Sequence, residues 1–126
     1  MPKAGDSYVV QIHPSHIDWG DKPRNPTNRP IIIGESYVAI PVKYARMYDI
    51  LRGSTYRASF TNGSPSIKIK AAGNGTNDGT YAKQFEGIGH GACKAFSPWY
   101  YSCGAKVGDS VLVEFTSETT VRFTLL

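Results

Sequence analysis

The sequence is poor in cysteine, with Cys93 and Cys103 alone, ten residues apart. Two thiols cannot build a disulfide scaffold, and they lack the C-x-x-C spacing of a zinc knuckle or redox site. Both are expected to be reduced, partly buried side chains. Long apolar runs are also missing. Stretches such as Ile31-Ile32-Ile33 are far too short to cross a bilayer as a helix. Met1 to Asp6 has no apolar core of a signal peptide, so the expected setting is a cytoplasm, bacterial or phage rather than nuclear, with no membrane partner. Acidic residues are scarce in one region. From Lys22 to Lys70, nine basic residues face only Glu35 and Asp49, within a chain whose net charge is +4. A basic stripe over part of a domain is the footprint of a polyanion binder, although a solvated surface can carry such charge as well.

Turn formers and aromatics are plentiful. Thirteen glycines, eight prolines and 12% aromatics in 126 residues imply short strands around one packed core, hence a single domain over 1–126. Asp6 to His13 reads as a first strand, ended by Pro14. A polar, proline-rich loop runs to Pro30, and Ile31 to Ile33 with Ser36 to Ile40 forms a strand or hairpin. Pro41 to Ile50 has helical spacing behind a favourable N-terminal proline, and Arg52-Gly53 is expected to close it. Thr55 to Phe60 and Ser66 to Ala71 flank an Asn62-Gly63 turn. A Gly/Asn-rich loop, Gly73 to Gly79, precedes a strand from Thr80 to Phe85. Pro98 to Tyr101 suits a second short helix. Ser110 to Phe115 and Thr120 to Leu125 make a final hairpin about Ser117-Glu118.

A repeat lies within this pattern. Ile40-Pro41-Val42-Lys43-Tyr44 leads to Gly53-Ser54-Thr55-Tyr56-Arg57-Ala58-Ser59-Phe60. Ser97-Pro98-Trp99-Tyr100-Tyr101 leads to Gly108-Asp109-Ser110-Val111-Leu112-Val113-Glu114-Phe115. Each copy has Pro-x-x-Tyr, a short linker, a glycine turn and a strand ending in Phe. Neither unit can bury its apolar face alone, so two copies about a pseudo-twofold axis would close a barrel.

The strand–Pro–short helix–glycine turn–strand unit resembles the swapped-hairpin element of AbrB-type proteins. Two units in one chain resemble the B3-like DNA-binding pseudobarrel of plant transcription factors and restriction-endonuclease effector domains. The resemblance rests on Tyr37 to Ala45 and on Phe96 to Phe115. It implies a mainly β fold, a seven-stranded open pseudobarrel with two short helices and an internal pseudo-twofold repeat. It also implies two arms that clasp the major groove of double-stranded DNA, mapping onto Ile17 to Arg29 and Ser66 to Gln84. These hold Trp19, Lys22, Arg24, Asn25, Asn28 and Arg29, then Lys68, Lys70, Asn74, Asn77, Lys83 and Gln84. Arginine and lysine can fork onto guanine, asparagine and glutamine onto adenine, and lysines near glycine amides suit phosphates.

Catalytic signals are weak. His13, His16 and His90 lack a converging set of cysteines or carboxylates. Gly87-Ile88-Gly89-His90-Gly91 lacks phosphate-loop spacing, and no acidic pair with a following lysine suggests a nuclease centre. No cofactor, metal or catalytic residue is expected, and any cutting chemistry would belong to a partner nuclease domain or subunit. Two other classes stay open. One is an OB-like binder of single strands, stacking bases on Trp19, Tyr81, Phe85, Trp99, Tyr100 and Tyr101. The other is a small β-barrel module that binds an acidic protein.

Overall fold

A computed structural model of the chain describes residues 1–12, 36–89 and 94–126. The elements among them are β1 (Ser7–Gln11), β2 (Val38–Ala39), α1 (Val42–Tyr48), β3 (Thr55–Phe60), β4 (Ile67–Ala72), β5 (Gln84–Gly87), α2 (Ser97–Ser102), β6 (Ser110–Phe115) and β7 (Thr120–Leu125). The strands form one sheet in the order β1-β6-β7-β3-β4-β5-β2. Neighbours are antiparallel except β3 and β7, which run parallel with Phe60 opposite Phe123. The fold is mainly β, a seven-stranded, nearly closed barrel with two short helices, as the sequence led us to expect.

Alternation decides which face of each strand is buried. β3 turns Tyr56, Ala58 and Phe60 inward, and β6 does the same with Val111, Val113 and Phe115. Those are matching positions in the two sequence repeats. Around Phe123 gather Phe60, Phe85, Phe96 and Trp99, with ring centroids 5.3 to 5.9 Å away. Phe85 and Phe96 meet the Phe123 ring edge-on, a geometry that aromatic quadrupoles favour. The helical parts of the repeat behave differently. α1 buries Ala45 alone, whereas α2 buries Trp99 and Tyr100 as a lid over the aromatic cluster. The shared Pro-x-x-Tyr therefore marks helix entry and not a common buried face.

The two edge strands, β1 and β2, leave a seam that side chains close. The Tyr8 hydroxyl donates to the Ala39 carbonyl at 2.9 Å, and the Tyr48 hydroxyl to the Ser7 carbonyl at 2.7 Å. Tyr44 lies between those two rings, 5.1 Å from Tyr8 and 6.0 Å from Tyr48. Burial pushes the Tyr8 phenol well above its ordinary pKa, so it stays a donor.

Several boundaries depart from the sequence reading. β1 ends at Gln11, β2 is only two residues long, and His13 and Ile31 to Ile33 lie outside the described residues. α1 is closed by Asp49, which adopts the left-handed conformation at φ 57°, while Ile50 N–H bonds back to Ala45 O. Gly53, at φ +89°, instead shapes the turn in which Ser54 N–H reaches Leu51 O. Asn62-Gly63 is not a two-residue hairpin. β3 leaves β4 after Ala58, opposite Ile67, and continues along β7 to Phe60, so the β3–β4 connection is longer.

Truncating either strand-terminal phenylalanine should open a cavity in this core. Phe60→Ala or Phe115→Ala should each cost about 3–5 kcal/mol of unfolding free energy, measured by denaturant titration. A loss below about 1 kcal/mol would mean that the two rings do not share a tightly packed core.

Candidate nucleic-acid interface

Between β4 and β5 the chain makes a glycine-rich arm, residues 73–83. Its limbs approach closely. Gly75 N–H bonds to Tyr81 O at 2.8 Å and Lys83 N–H to Ala72 O at 2.9 Å. A Cβ at Gly75 would lie 2.5 Å from the Ala82 carbonyl oxygen, so no larger residue fits without spreading the limbs. Gly73, at φ +75°, lies under the Lys83 side chain, where a Cβ would meet Lys83 Cγ at 2.7 Å. The tip is held by one carboxylate. Asp78 accepts from Thr76 Oγ1 at 2.6 Å and from Thr80 N–H at 3.0 Å. These bonds, with a smaller contribution from Arg46, hold the Asp78 carboxyl below its usual pKa.

The base of the arm is fastened to the α1–β3 connection. Arg52 N–H bonds to Thr80 O at 3.0 Å, Ala82 N–H to Ile50 O at 3.3 Å, and Leu51 bridges to Tyr81. This docking also explains why β5 begins at Gln84 and not at Thr80. Thr80 O and Ala82 N–H spend their hydrogen bonds on the helix exit instead of a regular ladder. Two arginines absent from the sequence-derived site thereby join the arm. The Arg46 guanidinium lies over the Tyr81 ring, 5.5 Å from its centroid. Arg52 Nη1 would be 3.5 Å from a Cβ at Gly79. Their signal in the sequence was membership of the basic stripe, but nothing local shows that the helix exit meets the arm.

The structure places the expected residues in three groups. Asn74, Asn77 and Lys83 are exposed on the arm, and Gln84 is half-buried at the start of β5 opposite Ala72 and Ala39. Lys68 and Lys70 lie on the solvent face of β4, the strand expected over Ser66 to Ala71, with Lys70 Nζ 3.8 Å from Glu86. Trp19, Lys22, Arg24, Asn25, Asn28 and Arg29 lie outside the described residues, as do His16, His90 and Cys93. The attachment points of that first segment are described. Ile12 N–H bonds to Asp109 O at 2.8 Å, and Ser36 Oγ is 3.1 Å from Ser97 Oγ beside a Tyr100 hydroxyl bond to Tyr37 O at 2.6 Å.

Among the described residues, the aromatics expected of a single-strand stacking face are not gathered on one. Phe85, Trp99 and Tyr100 are 0%, 2% and 1% exposed, committed to the core, while Tyr101 is 82% exposed. Cys103 is free and half-buried, its thiol pushed up in pKa by burial. Among the described residues no three His, Cys, Asp or Glu side chains converge as metal ligands, and no helix is long and apolar enough to cross a membrane.

No protein-family model and no curated protein sequence matches the chain. Among solved structures, it is similar to the Arabidopsis FUS3–DNA complex, with a TM-score of 0.54 and 10% identity over 94% of this chain and 93% of that one. The architecture is thus a B3-like pseudobarrel.

The arm can be tested through its own contacts. Gly75→Ala should alter amide shifts across 73–83 while leaving those of β6 and β7 in place; unchanged arm shifts would refute the close approach. Asp78 has a depressed folded-state pKa, so its contribution to arm order is present above the ordinary carboxylate pKa and lost as pH falls through the depressed value. Protection of the Thr80 amide should fall in that acidic window in the parent. In Asp78→Asn it should show no such step.

Proposed function

We propose that this chain is a sequence-specific double-stranded DNA-binding domain whose two arms enter the major groove, and that it serves as a recognition or effector domain of a restriction enzyme or as a small regulator. The observation that carries the reading is the docked arm, on which Asn74, Asn77 and Lys83 share one edge of the barrel with Arg46 and Arg52. The similarity to a fold solved with DNA supports it. Asparagine side chains at the tip match adenine edges, and the arginines and Lys83 match guanine or phosphate. Trp19, Lys22, Arg24, Asn25, Asn28 and Arg29 supply the other arm in this reading. The barrel contributes rigidity, since groove readers lose affinity when their donors must first be ordered.

The domain itself carries no catalytic chemistry in this proposal. Where DNA is cut, a nuclease domain or subunit does the cutting. The purified chain with plasmid and magnesium, manganese or zinc should leave the DNA intact.

Binding should weaken with salt, log affinity falling linearly with log salt at about −0.9 per neutralised phosphate, for roughly four to six phosphates. Lys83→Ala and Arg52→Ala, like Arg24→Ala and Arg29→Ala, should reduce affinity while the thermal midpoint holds. A base-reading arginine should cost about 1–3 kcal/mol and relax preference at one position. Fluorescence anisotropy with duplexes selected from a random pool measures both effects. Salt-independent affinity, or equal affinity for an unrelated single strand, would refute the proposal.

A further inference from the structure

The outer face of the sheet carries cations of two kinds. Some have acids beside them. Arg122 meets Glu114 at 3.3 Å, and Lys70 meets Glu86 at 3.8 Å. Arg57 and Lys68 differ. They are direct cross-strand partners on β3 and β4, both exposed, and neither has an acidic side chain within ion-pair distance among the described residues. The next strand over places Thr120 opposite Arg57. Like charges directly opposite each other destabilise a sheet, and a single acid at either position would remove the cost. The flanking rows of this same sheet contain such acids. A cost retained where its remedy is one residue away points to an external anion.

We propose that Arg57 and Lys68 form a second phosphate-binding site, on the outer face of the barrel, which holds the DNA backbone outside the groove that the arms enter. The inference rests on the duplex-binding reading above and extends it from the arms to the sheet. Lys68 stands five residues before Gly73, about 17 Å along an extended chain from the arm. That distance is close to the width of a duplex, so a strand leaving the groove can reach it. The site takes phosphodiester oxygens and no bases, because the pair offers two long, exposed cations side by side on the outer face of a sheet. Its contribution is affinity without sequence preference.

The fold gives a clean test. Lys68→Glu or Arg57→Glu converts the like pair into an opposite pair, so the thermal midpoint should stay equal to or exceed that of the parent. Duplex affinity should nevertheless fall, by roughly threefold or more per lost phosphate contact at moderate salt, and the log–log salt slope should shrink by about 1. The ranking of duplex sequences should not change. Lys83→Glu on the arm is the comparison. If the parent and Lys68→Glu bind selected duplexes with the same affinity and salt slope while Lys83→Glu binds weakly, the sheet-face site is wrong and the arm reading survives. If the parent binds no duplex at all, both fall.

Discussion

Strands β3 and β7 run side by side in the same direction, and Phe60 stands opposite Phe123 where they meet. This contact joins what would otherwise be two separate hairpins, β3–β4 and β6–β7. A parallel pair needs a long crossover, and here the chain from β3 to β7 supplies it by passing through β4, β5, α2 and β6. Phe60 stacks on Phe123 at 5.8 Å and on Trp99 at 5.0 Å, so one ring engages the sheet junction and the α2 lid together. The strands that carry the arm are placed from this junction. β4 is held by β3, β5 by β4, and the arm is the span between those last two strands.

The arm is then fixed a second time, by the exit of α1. Main-chain bonds from Ile50 and Arg52 to the arm fasten it to residues that lead directly into β3. A loop of this composition would ordinarily be costly to order, since glycine loses the most backbone freedom on folding. Here the glycines serve contact. Gly75 lets the limbs touch and Gly73 accommodates the Lys83 stem, so flexibility in the unfolded chain is exchanged for close approach in the folded one. The result is a set of polar side chains carried on a braced loop, the arrangement that rigid recognition requires.

Strands with clear alternation and no competing contacts were legible from the sequence. β3, β6 and β7 have the boundaries that pattern alone implies. Errors came where tertiary contacts override local signals. The Asn62-Gly63 dipeptide looks like a tight hairpin, but β3 parts from β4 after Ala58 and runs on along β7 to Phe60, opposite Phe123, so the turn spans more than the dipeptide. The helix looks set to stop at Gly53, yet Asp49 adopts the left-handed geometry first, and the Ile50 N–H turns back to Ala45 O. Asparagines and lysines of the arm were visible as donors in a glycine-rich loop. Arg46 and Arg52 were not, since their role depends on the helix exit meeting a loop more than twenty residues away.

The two repeats diverge in charge more than in fold. In the second, with the β7 strand that follows it, Lys106 and Arg122 are each matched, by Asp109 at 3.9 Å and Glu114 at 3.3 Å. In the first, with the β4–β5 hairpin that follows it, Lys43, Arg46, Arg52, Arg57, Lys68 and Lys83 have no acidic partner at ion-pair distance among the described residues. Exposed ion pairs contribute little to stability, so their absence costs the fold little. What their absence does change is the field, because unpaired cations on neighbouring strands and on the arm add their potentials instead of cancelling them. A duplicated unit needs both copies to close the barrel but only one to carry charge. The asymmetry divides the two helical units, with α2 giving Trp99 and Tyr100 to the aromatic core and the unpaired cations gathered on α1, its exit, β3, β4 and the arm.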